Sequence, residues 1–131
     1  MLYKFLICSL LIVGLWSCSQ AEEKLSEELQ TKVLELHDNL MPKTEELISM
    51  QSQLDSLSKG KDTVHVNKLK RALAKSDQAM MDWMHQFSVD SLSKMDVKSK
   101  IEYLGKQYKD LQDLQKLTDS SLHAAKAYLP Q

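Results

Sequence analysis

The sequence predicts an all-α fold: an up-down-up antiparallel three-helix bundle with coiled-coil-like seams and an extended, Pro-kinked first helix. Three observations carry that expectation. Apolar residues recur at seven-residue intervals through three long segments. Glycine and proline, which punctuate chains, number only 3 and 2 in 131 residues. The charges, 17 Lys and Arg against 18 Asp and Glu, are evenly mixed, as on the solvated faces of helices.

Residues 1–17 read as a removable targeting segment. Lys4 supplies a short positive start, and residues 5–16 form a 12-residue apolar run interrupted only by Ser9 and Gly14. About 20 apolar residues are needed to span a bilayer, so this run suits the core of a signal peptide. It ends Leu15-Trp16-Ser17-Cys18, which resembles the bacterial lipobox: an aliphatic residue, a small one directly before the cysteine, then the cysteine that is acylated and becomes the first residue. Trp16 departs from that pattern, where a small residue is usual. The competing reading is an ordinary secretory peptide, which would leave Cys18 as a free thiol in an oxidising compartment. Each buried methylene contributes about 0.8 kcal/mol, so two or three acyl chains such as palmitate attach a protein to a membrane permanently. Ser19 is not the aspartate that resembles an inner-membrane retention signal, which favours the outer membrane. Gln20-Ala21-Glu22-Glu23 is similar to the acidic export signal of surface lipoproteins in Bacteroidota, and reads equally as a solvated helix start with acids placed well for the helix dipole.

Removing residues 1–17, which hold Lys4 and no acid, leaves 114 residues with 16 Lys and Arg against 18 Asp and Glu. That is one domain at most. The expected organisation is a signal peptide over 1–17, a lipidated tether over 18–24 and a bundle over 25–131. With Cys18 alone remaining, an internal disulfide, tetrathiolate zinc and c-type haem attachment are excluded. The balanced charge argues against nucleic acid, whose phosphates call for a basic stripe, and against a polybasic membrane patch. Two glycines argue against a phosphate-cradling loop.

The first helix is expected over 22–58. Val33, Leu40, Leu47 and Leu54 form one row of its seam and Leu29, Leu36, Met50 and Leu57 the other, with Lys43 the misfit. At 1.5 Å per residue it would be about 55 Å long. Gly60 supplies a stop. Pro42 removes the hydrogen bond to the Asp38 carbonyl, but the heptad count puts it on the outer side, which predicts a kink rather than a break.

A second helix is expected over 63–87, capped by Asp62 or Thr63, with Val66, Leu69, Leu73, Met80, Trp83 and Phe87 on one face and Ser76 interrupting it. Residues 88–96 read as a polar turn, and Asp96 can cap a third helix over 97–128 that ends near Pro130. Its seam runs through Ile101, Leu104, Tyr108, Leu111, Leu122, Ala125 and Leu129. Gln115 and Thr118 dilute the middle, where Leu114 and Leu117 can take over the contact. The phrase Asp-Ser-Leu-Ser-Lys at 55–59 returns at 90–94, as recurrent helix-end composition rather than a solenoid period.

Short connections force neighbouring helices antiparallel. The first helix then overhangs the second, so Leu25, Leu29 and Val33 need Val89, Leu92 and Met95 to cover them. This is the end that carries Cys18, which suggests a stalk.

With the first turn centred near residue 60, antiparallel partners have numbers summing to about 121. That count sets His37 opposite Met84 and His85 and Met41 opposite Met80 and Met81, of which Met81 and His85 fall on outward positions, with Trp83 nearby and Tyr103 and Tyr108 at similar height. Thioether sulfur with imidazole suits Cu(I), so His37, Met41, Met80 and Met84 are the candidate metal ligands, for copper or, less well in three helices, haem. The competing reading is core packing, because methionine is an adaptable filler. His65 and His123 can approach at the far end. His37 and Asp38, adjacent in sequence, are not expected to form an oriented pair. No paired-carboxylate or nucleophile-base pattern stands out, and the expectation is no enzyme activity.

The lipobox, His37-Asp38-x-x-Met41-Pro42-Lys43 and Met80-Met81-x-Trp83-Met84-x-x-Phe87 together resemble a group of small Bacteroidota lipoproteins that often carry the label viral A-type inclusion protein. The resemblance spans nearly the whole mature chain and implies a location and a helical fold, not an activity. The sequence thus leads to a lipid-anchored outer-membrane protein, with surface display an open alternative. It would be a non-enzymatic interaction or structural module whose partner is an envelope protein or a second copy. Copper or haem handling is the alternative.

Overall fold

The computed structural model describes residues 2–57 and 63–129, with side chains from residue 19 onward. Among these residues there are four helices: α1 (Leu2–Leu57), α2 (Thr63–Gln86), the single turn α3 (Val89–Leu92) and α4 (Val97–Tyr128). No strand occurs among the described residues, so the fold is an all-α bundle of three long helices and one short one. The expected stop at Gly60, the Asp62 cap, Pro130 and the side chain of Cys18 lie outside the described residues.

Helix α1 starts at Leu2 instead of near residue 22, and runs unbroken through the 18–24 stretch expected as a tether. It also continues through Pro42, which is exposed on the outer side as the heptad count places it. A proline there loses one ladder bond without burying the orphaned carbonyl, so the helix survives. Helix α2 ends where Ser88 turns extended (φ −128°, ψ 108°) and its Oγ accepts the Ser91 N–H. That cap nucleates α3, so residues 88–96 are not the plain turn expected from their polarity. Asp96 caps α4 as expected, accepting the Ser99 N–H at 2.9 Å on Oδ1 and the Ser99 hydroxyl at 2.7 Å on Oδ2.

Each long helix buries residues at the seven-residue interval. On α1 the buried row is Ser26, Val33, Leu40, Leu47 and Leu54, while Leu29, Leu36 and Met50 are half-buried and Leu57 is exposed. One of the two expected rows therefore faces the centre and the other the rim. Helix α2 buries Val66, Leu69, Leu73, Ser76, Met80 and Trp83. In α4 the diluted middle resolves: Leu114 is buried, Thr118 is buried as well, and Gln115 and Leu117 are half-buried.

Cross-helix partners fix the relative order. Asp55 pairs with Lys70 and His37 stacks on Trp83, so numbers fall along α2 as they rise along α1. Ser76 meets Ser121 and Phe87 meets Tyr103, the same opposition between α2 and α4. Lys43 meets Asp119 and Glu46 meets Lys126, so α1 and α4 rise together.

The core has two parts. The Trp83 core joins Val33, Leu40, Met80, Trp83, Leu92, Leu104, Leu111 and Leu114. The Leu54 core joins Leu47, Leu54, Val66, Leu69, Leu73, Leu122 and Ala125. The overhang of α1 is covered in part: Val33 is buried with Leu92, and Leu29 and Met95 pack against them, whereas Leu25 and Val89 stay exposed. Among the described residues no helix is long and apolar enough to cross a membrane.

Candidate functional site

The features with chemical potential gather around Trp83, one turn before the end of α2. Its indole is 7% exposed and lies between two partners, the His37 ring of α1 at 5.5 Å and the Phe87 ring at 4.8 Å. Phe87 in turn stacks on Tyr103 of α4 at 6.1 Å, with rings 11° from parallel. Four rings therefore link three elements in series, each pair contributing about 0.5–1.5 kcal/mol beyond burial. The Tyr103 hydroxyl closes the series: it accepts the Ser88 N–H at 3.2 Å and donates to the Gln86 carbonyl at 3.4 Å. Those are backbone groups that the end of α2 frees, so the ring ladder also finishes the helix.

Two buried polar atoms in this half lack partners. Trp83 Nε1 and Gln107 Oε1 make no hydrogen bond, and each such group costs about 1–3 kcal/mol. Beside Trp83 an open groove of about 350 Å³ runs between α2 and α4 over Ala79 and Leu114, rimmed by Asp82, Asp110 and Asp113. The rim charges are already engaged. Lys106 Nζ lies 2.6 Å from Asp110, Lys109 Nζ 2.6 Å from Asp113, and Gln78 donates to Asp82 at 2.8 Å. The hydrogen bond and charge of Lys109, with Lys116 adding to them, hold the Asp113 carboxyl below its usual range, and the same bond raises the Lys109 ammonium. Paired this way, each carboxylate bonds within its own helix, Asp82 on α2 and Asp110 and Asp113 on α4.

The four candidate metal ligands occupy different depths. Met80 is 2% exposed inside the Trp83 core, Met84 packs half-buried against it, and Met41 is 37% exposed on the flank of α1. His37 is half-buried with its ring on Trp83, and its Nδ1 lies 3.0 Å from Asp38 Oδ1. That last contact corrects the expectation for adjacent residues: both side chains lean over the same helix surface and meet despite the 100° offset of their Cα atoms. Among the described residues no three His, Cys, Asp or Glu side chains converge where a metal ion could be held. At the far end the His65 ring lies 5.2 Å from Tyr128, and His123 is exposed.

Sequence reasoning placed Trp83 and Tyr103 at one height but missed the ring ladder. Its signal was the Trp83–Phe87 spacing of four, which puts both rings on one helix face. The unpaired Gln107 had no signal, because glutamine is ordinarily solvated. No family model, curated protein or solved structure matches the chain.

Proposed function

We propose that the chain is an envelope lipoprotein anchored in the outer membrane through acylated Cys18, its up-down-up bundle serving as a non-enzymatic interaction or structural module. One observation carries the reading. Residues 19–25 are all exposed, and Ser26 is the first buried side chain among the described residues of α1. Seven solvated helical residues thus separate the lipobox cysteine from the packed bundle, a spacer of about 10 Å. The acidic start at Glu22 and Glu23, and the resemblance to Bacteroidota lipoproteins, support the outer membrane and are compatible with surface display. Copper handling by His37, Met41, Met80 and Met84 is less well supported. The buried Met80 sulfur and the stacked imidazole of His37 are accounted for by packing.

The test is expression of the full chain and Cys18→Ser in a Gram-negative host with labelled palmitate, followed by envelope fractionation and intact-mass measurement. The expected result is a labelled, membrane-bound protein beginning at Cys18, with label and membrane binding both lost in the variant. A soluble, unlabelled wild-type protein would overturn the proposal.

A further inference from the structure

Six methionines have described side chains, and the fold grades them by depth. Met80 is buried inside the Trp83 core. Met84 and Met95 pack half-buried against that core, as Met50 does against the Leu54 core. Among the described residues only Met41 and Met81 are exposed methionines, at 37% and 42%. They come from different helices, yet the His37–Trp83 stack and the Asp55–Lys70 pair set Met41 of α1 about level with Met81 of α2. Met41 is also the middle member of an exposed apolar row at the seven-residue interval, between Leu34 and Ile48.

A thioether is open to two-electron oxidation by a peroxide. The sulfur gives up an electron pair and gains one oxygen, the O–O bond breaks, and the other peroxide oxygen leaves as water. The product is a sulfoxide, a polar hydrogen-bond acceptor where an apolar group stood. At Met80 the added oxygen has no room in a close-packed core, and at Met84 it would press on the packing against Trp83. At Met41 and Met81 water can solvate it, so the helices keep their contacts.

We propose that Met41 and Met81 form a methionine-oxidation site, at which a peroxide converts both to sulfoxides while the bundle stays folded and turns the middle of this apolar face polar. Two electrons from a dithiol, delivered by a sulfoxide reductase, reverse the change: the oxygen leaves as water and the dithiol becomes a disulfide. The site needs no acyl chain on Cys18, so it stands or falls apart from the anchoring.

Hydrogen peroxide titration of the full-length chain in a mild non-ionic detergent tests the site, with the thiols of Cys8 and Cys18 blocked by N-ethylmaleimide and oxygen uptake located by peptide mass mapping. Met41 and Met81 are expected to react at least about tenfold faster than Met80, which is reached only when the bundle opens. The urea midpoint and helical circular dichroism stay unchanged once both are oxidised. In urea above that midpoint the six methionines react alike, which ties the selectivity to the fold. Met41→Leu with Met81→Leu abolishes fast uptake across residues 19–129 and leaves the midpoint in place. Equal rates for Met41, Met81 and Met80 in the folded protein overturn the proposal. So does a midpoint that falls when only the two exposed sites are oxidised, or fast uptake that persists in the double variant.

Discussion

The Trp83 core and the Leu54 core are built on the same three helices and the same seven-residue interval, yet they differ in chemistry. The Leu54 core is aliphatic at its centre, a stack of Leu, Val and Ala with Met50, Tyr128 and Leu129 at its edge. The Trp83 core adds Met80, Trp83, the helix α3 and a margin of Phe87, Tyr103 and Tyr108, and it tolerates two unpaired polar atoms. Between them lie Ser76, Thr118 and Ser121, all buried. Ser76 and Ser121 share a hydrogen bond at 3.0 Å, one hydroxyl donating to the other, and the accepting hydroxyl gives its own proton to a helix carbonyl, Ala72 at 3.2 Å from Ser76 or Leu117 at 2.8 Å from Ser121, so both hydroxyls are satisfied. A uniform apolar seam can slip by one heptad without penalty. A matched polar layer cannot, because slippage would bury hydroxyls opposite leucine. The difference teaches that the polar layer fixes the register at the junction of the two halves, and that the half nearer the N-terminal end of α1 adds aromatic packing and α3 to it.

The largest effects should come from opening cavities. Leu40→Ala and Leu54→Ala remove side chains at most 1% exposed, and each should lower stability by about 2–5 kcal/mol in urea unfolding. Leu40→Ala should cost more, because Leu54 lies near the end of α1 where the chain can relax into the space. A reversed order would break the proposed hierarchy. Next comes Gln107→Met, which removes a buried acceptor that has no donor and should raise stability by about 1–2 kcal/mol. Loss of stability instead would mean that the Trp83 core depends on that amide.

Smaller still is the polar layer. Ser76→Ala should cost about 1 kcal/mol, and the double change with Ser121→Ala less than the sum of the two single changes, since removing both partners leaves no orphan. Strict additivity would deny that the two hydroxyls act together. The smallest effect is at the α4 cap. The Ser99 backbone N–H, then its hydroxyl, hold the Asp96 carboxyl below its usual range. A lowered folded pKa contributes stability above the unfolded carboxylate value of about 3.9, lost as pH falls through the folded value. Asp96→Ala should therefore give a slight destabilisation at neutral pH that shrinks in acid, as seen in melting curves recorded across that window.

Most of this architecture was legible in the sequence, for identifiable reasons. Strong local signals set the ends of α2 and α4, and the seven-residue interval marked Val33, Leu40, Leu47 and Leu54, which are all buried. Misses arose where burial overrides residue type. Ser76 and Thr118 read as interruptions, yet both are interior, and the Ser76 hydroxyl satisfies itself on the Ala72 carbonyl. The short α3 was hidden by polar composition and revealed by the Ser88 cap. Of the candidate site, the common height of His37, Trp83 and Tyr103 could be counted, but ring stacking and the unequal depths of Met41 and Met80 depend on side-chain packing that spacing does not encode.

Native-state hydrogen exchange on the protein compares the two halves most directly. The slowest amides should cluster around Leu40, Trp83 and Leu111, while those around Leu54, Val66 and Ala125 exchange faster through a partial opening that stops at the Ser76–Ser121 layer. Equal protection in both halves, or slower exchange around Leu54, would contradict a bundle whose aromatic half is the more stable one.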